Sequence, residues 1–357
     1  MSLVQALPEG PLDIIGDIHG EYEAFCQLLG RLGYDQHGNH PQHRTLVLVG
    51  DFCDRGPDSP AVLELVEQLV ARGKAVAVLG NHEMNLLRND PKDGSGWYFE
   101  ERRQSDQARY APFRSMDNSA KEGTVAFLST LPIALERADL RIIHAAWISD
   151  LVARVRPLTP ADLIASFEQW DDAAKDEAAA IKPRMLDEKA AWPHSLEERS
   201  VVPPFLHAHA DFDSVKQMHN PLRVLTSGVE RKGREPFYAG GKWRFVDRVQ
   251  WWNEYDDDIA VVVGHYWRRF APIDGAAIGK GNADLFEGIA PNAWHGTRRN
   301  VFCVDFSVGG RWSARKSATG SEADFKLAAL RWPECELRFD DGLTMQLDAP
   351  GNPALAP

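Results

Sequence analysis

Residues 14–20 read Ile-Ile-Gly-Asp-Ile-His-Gly and follow directly on a short apolar run that begins at Leu12. The apolar run predicts a buried strand, and Asp17 and His19 come at its end, framed by glycines. A carboxylate and an imidazole this close in sequence form a compact pair of metal ligands, and glycine lets the backbone turn sharply beside them. The stretch therefore predicts one half of a metal site at a strand end.

Matching pieces follow at the ends of two further apolar runs. Thr45–Val49 leads into Gly-Asp and Lys74–Leu79 leads into Gly-Asn, so each predicted strand ends in a glycine and an oxygen ligand. Glu21–Leu32 and Pro60–Ala71 lie between these strands and carry apolar residues at helical spacing. The alternation predicts a right-handed βαβαβ unit of parallel strands, in which ligands bind beyond the carboxyl ends of the strands.

Two later histidines complete a candidate two-metal site. His144 ends the predicted strand that begins at Leu140, and His265 follows Gly264 after a third apolar run. A two-metal site needs a carboxylate between the ions, and Asp51 takes that place in the natural division of ligands. One metal would take Asp17, His19 and Asp51, and the other would take Asp51, Asn81, His144 and His265. We expect Mn²⁺ at both positions, with Fe or Zn²⁺ as alternatives, because the donors mix carboxylate with imidazole.

The same motifs offer catalytic groups beside these ligands. His82 adjoins Asn81, so its ring is a candidate general acid for the leaving oxygen, and Asp54 is a candidate partner that orients it. Arg55 offers a planar guanidinium for phosphate oxygens. We expect a hydroxide bridging the two metals to attack phosphorus directly, without a phosphoenzyme.

The three blocks GDIHG, GDFCDRG and GNHE, in this order and spacing, resemble the phosphoprotein phosphatase family of calcineurin-like metallophosphoesterases. The resemblance covers residues 11–145 well and residues 259–306 more thinly. It implies an α/β (α+β) fold, a β-sandwich of two mixed sheets flanked by helices, with two metals. The family's ligands, acid pair and phosphate arginine fall on the residues named above, with His82 and Asp54 as the acid pair and Arg55 as the arginine.

The departures from the family pattern bear on the substrate. Eukaryotic protein phosphatases usually carry His-Gly-Gly where this chain has His144 followed by two alanines, and the run 54–59 looks bacterial. Bacterial relatives act on phosphoproteins, on dinucleoside tetraphosphates, or as phosphatase modules of RNA-repair enzymes. The family's second phosphate-binding arginine stays unassigned between four candidates, Arg223, Arg231, Arg234 and Arg248.

We expect one domain over residues 1–357 with two insertions. Residues 89–121 break the strand and helix pattern and predict an insertion, and residues 150–220 predict a polar helical cap over the site. Regular strands return at 243–246, 259–263 and 300–306, and residues 327–339 predict a closing hairpin. Residues 349–357 predict a disordered tail.

Composition limits the classes of partner. The formal net charge is -12, which disfavours long nucleic acids but not a small phosphorylated substrate, because bound cations reverse the local field. The four cysteines are far apart in sequence and predict reduced thiols. Neither a signal peptide nor an apolar stretch of membrane-spanning length is found, so we expect a cytoplasmic protein without a membrane partner.

The sequence thus predicts a metal-dependent hydrolase of phosphomonoesters, including phosphoserine or phosphothreonine in proteins. The first alternative is a hydrolase of diadenosine tetraphosphate. The second is a catalytically silent scaffold, which would require loss of ligands or of His82, and all of these residues are present. The oligomeric state is left open.

Overall fold

The computed structural model describes residues 1–239, 241–270, 281, 283–317 and 321–351. Its strands are β1 (Val4–Ala6), β2 (Leu12–Ile15), β3 (Thr45–Leu48), β4 (Ala75–Ala77), β5 (Ala134–Glu136), β6 (Leu140–Ile143), β7 (Glu230–Ala239), β8 (Lys242–Arg248), β9 (Ala260–Val263), β10 (Val301–Cys303), β11 (Ala328–Trp332), β12 (Glu336–Phe339) and β13 (Thr344–Gln346).

The helices lie between these strands and in the two segments predicted as insertions. They are α1 (Tyr22–Leu32), α2 (Ser59–Ala71), α3 (Asn81–Leu87), α4 (Glu100–Tyr110), α5 (Asn118–Leu128), α6 (Ser149–Val155), α7 (Leu163–Glu177), α8 (Lys182–Ala191), α9 (His207–Met218), α10 (Pro221–Ser227) and α11 (Arg311–Lys316).

Two mixed sheets form the centre of the fold. One has the order β13-β12-β11-β2-β3-β4, with β2, β3 and β4 parallel and β11 antiparallel to β2. The other has the order β1-β5-β6-β9-β10, with β9 parallel to both β6 and β10. This confirms the parallel βαβαβ unit and the mixed-sheet α/β fold that the sequence predicted.

The side-chain alternation of the strands builds both layers of the core. Ile14 of β2 and Val47 of β3 join Val262 of β9 in the buried cluster that also contains Phe302 of β10, so this cluster draws on both sheets. Their neighbours along the strands, such as Ile15, belong to the larger cluster that also contains residues of α1 and α2. Each fully buried aliphatic side chain contributes about 1.5–3 kcal/mol, so a slip of register by one residue would be strongly disfavoured.

Residues 89–121 are more regular than the sequence predicted, since they contain α4 and the start of α5. In α4 only Asp106 and Tyr110 are buried, so the helix has no apolar stripe that periodicity could detect. The short edge strands β1 and β13 were also missed, and β7 was missed because its sequence is mostly polar.

The helical content predicted for residues 150–220 is present as α6, α7, α8 and α9. Leu163 and Phe167 of α7 join the main core, whereas α9 packs on the β7–β8 hairpin through a small separate cluster that includes Leu206 and Phe245. The group of elements that pack with α9 therefore extends beyond residue 220 into the hairpin. None of the helices in the described ranges is long and apolar enough to cross a membrane.

The predicted disordered tail is only partly covered by the structure. Residues 352–357 lie outside the described residues, while the backbone N–H of Gly351 donates to the carbonyl oxygen of Arg299 at 2.9 Å.

Candidate metal centre

Every predicted metal ligand lies just beyond the carboxyl end of a strand. Asp17 and His19 follow β2, Asp51 follows β3, Asn81 follows β4, His144 follows β6 and His265 follows β9. All except Asn81 are buried. Since the carboxyl ends of neighbouring parallel strands share one edge of a sheet, the fold brings ligands from both sheets to one place.

The backbone at this edge is strained in a way that fits a functional site. Positive φ angles occur at His19 (48°), Asp51 (51°), Asp54 (75°), Arg55 (70°) and His265 (71°), all of them non-glycine residues predicted from sequence. Such conformations cost free energy and persist where the surrounding structure enforces them, which happens most often at functional sites.

Two glycines let the strand ends approach each other. A Cβ atom on Gly80 would lie 2.2 Å from Oδ1 of Asp51, and a Cβ atom on Gly264 would lie 2.0 Å from Oδ1 of Asp17. Any side chain at these positions would collide with a predicted ligand. The glycines that precede Asn81 and His265 are therefore required by the close packing of the site.

Asp51 occupies the middle of the site. Its Oδ2 lies 3.3 Å from Nε2 of His144, 3.8 Å from Nε2 of His19 and 3.8 Å from Nε2 of His82. Two groups share it, since ligand atoms of His19, Asp51 and His82, and of Asp51, His144 and His265, lie within 4.8 Å of one another. Asp17 adjoins the first group, with Oδ2 at 3.9 Å from Nε2 of His19.

The imidazoles are oriented by backbone carbonyl groups. Nδ1 of His19 donates to the carbonyl oxygen of Cys53 at 3.0 Å, and Nδ1 of His144 donates to that of Val49 at 2.7 Å. Because a carbonyl oxygen only accepts, each Nδ1 carries the hydrogen and leaves the Nε2 lone pair towards the site. This is the arrangement that metal-ligating histidines use.

Glu83 ties two strand ends together, a role that the sequence analysis did not assign. Its carboxylate accepts from the backbone N–H groups of Asp51 and Phe52, both at 2.8 Å, and of Gly80 at 3.1 Å. The side chain is completely buried, so these bonds fix the loop after β3 against the start of α3. Glu83 thereby sets the position of Asp51 relative to Asn81.

The two residues predicted as an acid pair, His82 and Asp54, lie in contact, and Trp97 contacts the same carboxylate. Nδ1 of His82 lies 2.5 Å from Oδ2 of Asp54, and the indole Nε1 of Trp97 donates to Oδ1 of the same carboxylate at 2.5 Å. Trp97 comes from the segment before α4, where the backbone N–H of Gly96 donates to Oδ2 of Asp106 at 2.7 Å. The sequence signal was only an aromatic run in a predicted insertion, so Trp97 was missed.

Arg55 lies between the two halves of the site. Its Nη1 donates to Nε2 of His19 at 2.6 Å and its Nη2 to Nε2 of His82 at 3.0 Å, while the guanidinium carbon lies 5.0 Å from the ring centroid of Trp267. Trp267 is a further residue that sequence reasoning missed. The guanidinium is thus held at the site, where a phosphate group could meet it.

The ionisation of the site follows from its burial and crowding. Burial, together with the carboxylates of Asp305 and Asp51, raises the pKa of Asp17 well above its usual range. Burial opposes the charge on Asp51 as well, but His144 and His82 outweigh it and the pKa of Asp51 falls well below its usual range. Burial and then Arg55 lower the pKa of His19, which favours the neutral form that binds metals.

The polar atoms of the site fit divalent metal ions. Oδ1 of Asn81 and Nε2 of His144 are buried, and neither atom makes a hydrogen bond with any residue that the structure describes. An unsatisfied buried acceptor costs about 1–3 kcal/mol. Acceptors aimed at one space beside buried carboxylates are what a bound cation would satisfy.

Comparison with known proteins agrees with this geometry. The family model described as calcineurin-like phosphoesterase matches residues 10–180. A protein of Geobacillus sp. (strain WCH70), named bis(5'-nucleosyl)-tetraphosphatase PrpE, is 48% identical over 80 residues, which are 22% of this chain and 33% of that protein. The protein of the same name from Halalkalibacterium halodurans is 46% identical over 79 residues, 21% of this chain and 32% of its own length.

The chain thus matches only about a third of the length of these curated relatives (33% and 32%). Among solved structures, a cold-active protein-tyrosine phosphatase of a Shewanella species aligns with 96% of this chain and 83% of its own, at 18% identity and a TM-score of 0.45. A protein serine/threonine phosphatase from Saccharomyces cerevisiae aligns with 44% of this chain and 46% of its own, at 19% identity and a TM-score of 0.29. Residues 10–180, which contain the three motifs and five of the six predicted ligands, thus match the calcineurin-like phosphoesterase family.

Proposed function

We propose that the chain hydrolyses phosphate esters at a site that holds two divalent metal ions. The observation that carries this proposal is the position of Asp51, whose carboxylate is shared by two groups of ligand atoms from different strand ends. A shared carboxylate is the usual bridge in two-metal hydrolytic sites.

The ligands divide around that bridge. Asp17, His19 and Asp51 hold one ion, and Asp51, Asn81, His144 and His265 hold the other. Mixed carboxylate, amide and imidazole donors suit Mn²⁺, with Fe and Zn²⁺ as alternatives. When bound, the two ions supply Lewis-acid polarisation of phosphoryl oxygens and lower the pKa of coordinated water.

His82 is proposed as the general acid. Its Nδ1 is held by Asp54 at 2.5 Å, so the ring keeps one orientation. In the structure Nε2 of His82 accepts from Nη2 of Arg55 at 3.0 Å. Once Arg55 turns to the phosphate, Nε2 is free to carry the proton that the leaving oxygen of the ester takes. The backbone N–H of His82 donates to Oδ1 of Asp51 at 3.0 Å, which fixes the acid relative to the metal ligands.

Arg55 is proposed to bind the phosphate. Its fork of N–H donors already lies beside His19 and His82, and a phosphate is a stronger acceptor for a guanidinium than a neutral imidazole. Contact with the ester would bring the phosphorus close to both the ligands and the acid. Binding and orientation of this kind account for much of the rate enhancement in phosphoryl transfer.

Phosphomonoesters, including phosphoserine or phosphothreonine in proteins, are the first proposed substrate class. The second candidate is a dinucleoside tetraphosphate, and the specific observation in its favour is that the relatives matching the motif region are named bis(5'-nucleosyl)-tetraphosphatases. A catalytically silent scaffold is disfavoured because all the ligands and His82 are present and converge.

The test is hydrolysis of 4-nitrophenyl phosphate before and after removal of metals. We expect activity to vanish with a chelator and to return with Mn²⁺. Undiminished turnover by protein shown to be free of metal would contradict the proposal. A panel of phosphopeptide, nucleoside monophosphate and diadenosine tetraphosphate substrates with Mn²⁺ would then separate the two substrate classes.

A further inference from the structure

Arg55, the residue proposed to bind the phosphate, contacts three ring systems at the site. Its Nη1 donates to Nε2 of His19 at 2.6 Å, its Nη2 donates to Nε2 of His82 at 3.0 Å, and its guanidinium carbon lies 5.0 Å from the ring centroid of Trp267. The two imidazole contacts are hydrogen bonds, whereas the indole contact is between a cation and the face of an aromatic ring. The three contacts therefore differ in which chemistry competes with them.

Both imidazole contacts end when the site works as proposed. Nε2 of His19 has one lone pair, which it offers either to Arg55 or to a metal ion. Nε2 of His82 has to carry the proton for the leaving oxygen, and it then no longer accepts a hydrogen bond from a guanidinium. The contact with Trp267 competes with neither role. Of the three contacts, it is the one that Arg55 can keep while it binds a phosphate.

Trp267 is held in place through its backbone. Its N–H donates to Oδ2 of Asp305 at 2.8 Å, and Oδ1 of the same carboxylate accepts from the backbone N–H of Ser307, also at 2.8 Å. Asp305 is buried, and its carbonyl oxygen accepts from the backbone N–H of Arg268 at 2.9 Å. The φ angle of Trp267 is 53°, a conformation that costs free energy and persists where the surrounding structure enforces it. The loop after β9 is thus tied to the segment after β10.

The indole of Trp267 is supported as well, but it is not sealed in the core. It packs against the small cluster formed by Ala314 of α11 and Phe325. Its ring centroid lies 6.2 Å from that of His19, with the two planes inclined at 48°, so it stands beside a proposed metal ligand without stacking on it. Trp267 and Arg55 are both only partly buried. The pair is therefore accessible to a phosphate in solution.

The stem of Arg55 is held by the loop before α4. The backbone N–H of Arg55 donates to the carbonyl oxygen of Gly94 at 3.2 Å, and a Cβ atom on Gly94 would lie 2.9 Å from Cγ of Arg55. Glycine allows this close approach at a φ angle of 95°. The base of the side chain is therefore fixed, and the freedom that remains is in the bonds that turn the guanidinium.

We propose that Trp267 is a positioning residue for phosphate binding, whose indole keeps the guanidinium of Arg55 at the candidate metal centre after His19 and His82 have taken up their own roles. This inference rests on the proposed function, in which Arg55 binds the phosphate. A guanidinium that lies over a ring is contacted through its face and keeps the N–H donors of its edge for phosphate oxygens. Without the ring, the side chain of Arg55 would be less ordered, and phosphate binding would have to restore that order.

The experiment measures the dissociation constant of inorganic phosphate by calorimetric titration of the Mn²⁺-loaded protein. The variants are Trp267→Leu, Arg55→Ala and the two combined, and Trp267→Phe keeps an aromatic face at the position. The matched control is Trp170→Leu, because Trp170 of α7 also lies against a guanidinium, that of Arg154 of α6 at 5.5 Å. Elemental analysis and thermal unfolding check the metal content and the fold of each variant. Trp267→Met takes the place of Trp267→Leu if the leucine variant does not fold.

Trp267→Leu should raise the dissociation constant of phosphate about three- to tenfold, the range expected for a partly desolvated contact between a cation and a ring. Trp267→Phe should recover most of this loss, and Trp170→Leu should bind phosphate as the wild type does. In the Arg55→Ala background, Trp267→Leu should cause no further weakening, because two residues that act through one contact are not additive. The kcat/KM values of Trp267→Leu for phenyl phosphate and 4-nitrophenyl phosphate should fall by the same factor, since the contact serves the phosphoryl group.

The inference would be overturned by wild-type phosphate affinity in Trp267→Leu, by an undiminished further loss in the Arg55→Ala background, or by a Trp267→Phe variant no better than Trp267→Leu. Loss of metal ions from Trp267→Leu would also overturn it, because the effect would then belong to His265, two residues away. Wild-type phosphate affinity in Arg55→Ala would instead refute the proposed role of Arg55. Absence of metal-dependent phosphatase activity in the wild type would refute the proposed function, and the inference would fall with either.

Discussion

Trp97→Phe tests whether the hydrogen bond from Trp97 to Asp54 positions His82, the proposed acid, without changing any proposed metal ligand. The indole Nε1 donates to Oδ1 of Asp54 at 2.5 Å, and Oδ2 of that carboxylate holds Nδ1 of His82 at 2.5 Å. Phenylalanine keeps an aromatic ring in the buried position but removes the donor. Asp54 then loses a charge-assisted hydrogen bond and gains freedom to rotate away from His82.

The size of the effect follows from that bond. A hydrogen bond to a charged group contributes about 1.5–3 kcal/mol, and about 1.4 kcal/mol corresponds to a factor of ten in rate. If most of that free energy orients the acid, kcat should fall about tenfold or more for an ester whose leaving group needs a proton. An ester with a good leaving group needs little help from His82, so its rate should change much less.

The assay measures kcat for phenyl phosphate and for 4-nitrophenyl phosphate with Mn²⁺. The matched control is Trp294→Phe, which also removes a buried indole donor, in this case to the carbonyl oxygen of Asp348 at 2.9 Å. Both variants should lose stability, but only Trp97→Phe should increase the difference between the two substrates.

An equal loss for both substrates would show that Trp97 does not act through Asp54 and His82. The same reasoning would be refuted if Trp294→Phe changed the leaving-group dependence as much as Trp97→Phe does.

Three further predictions concern the acid, the core and the packing of the site. His82→Ala should keep its metals, measured by elemental analysis, yet lose about 10²–10⁴-fold in kcat for phenyl phosphate and less for 4-nitrophenyl phosphate; equal losses would argue against an acid role. Asp13→Asn should lower the free energy of unfolding by about 3–5 kcal/mol in urea titrations, because this buried carboxylate pairs with Arg44 and Arg331, both at 3.0 Å; a change under about 1 kcal/mol would contradict it. Gly264→Ala should weaken metal binding in calorimetric titrations, because its Cβ atom would lie 2.0 Å from Oδ1 of Asp17. Metal affinity equal to that of the wild type would contradict this prediction, since it would show that the site can accommodate the added methyl group.

The sequence predicted the parallel strands and the place of the site because both depend on short-range patterns. Apolar runs such as Leu12–Ile15 are buried on both faces, and each one ends in glycine and a candidate ligand. The strand, the place where it ends and the candidate metal ligand can therefore be predicted from one short stretch of sequence. His144 and His265 were recognisable by the same signal. The structure brings these residues together, and their roles in metal binding remain predictions.

The residues that were missed act through contacts between segments that are far apart in sequence. Glu83 accepts from the backbone of Asp51, and Trp97 reaches Asp54 from an inserted segment. Neither contact has a periodic pattern or a characteristic spacing. Helix α4 was missed because its buried residues are too few to form an apolar stripe, and its backbone is ordered by tertiary contacts instead.

Residues 150–220 show the same limit. Polar helices were predicted correctly from composition, but the packing of α9 on the β7–β8 hairpin depends on single contacts such as Lys232 with Asp211.

The most direct test of the account is the metal content of the purified protein and of Asp51→Ala, measured by elemental analysis after loading with Mn²⁺ and removal of free metal. The shared position of Asp51 predicts two ions per chain in the wild type and loss of tight binding at both positions in the variant. One ion or none in the wild type, or two ions retained by Asp51→Ala, would contradict the two-metal site.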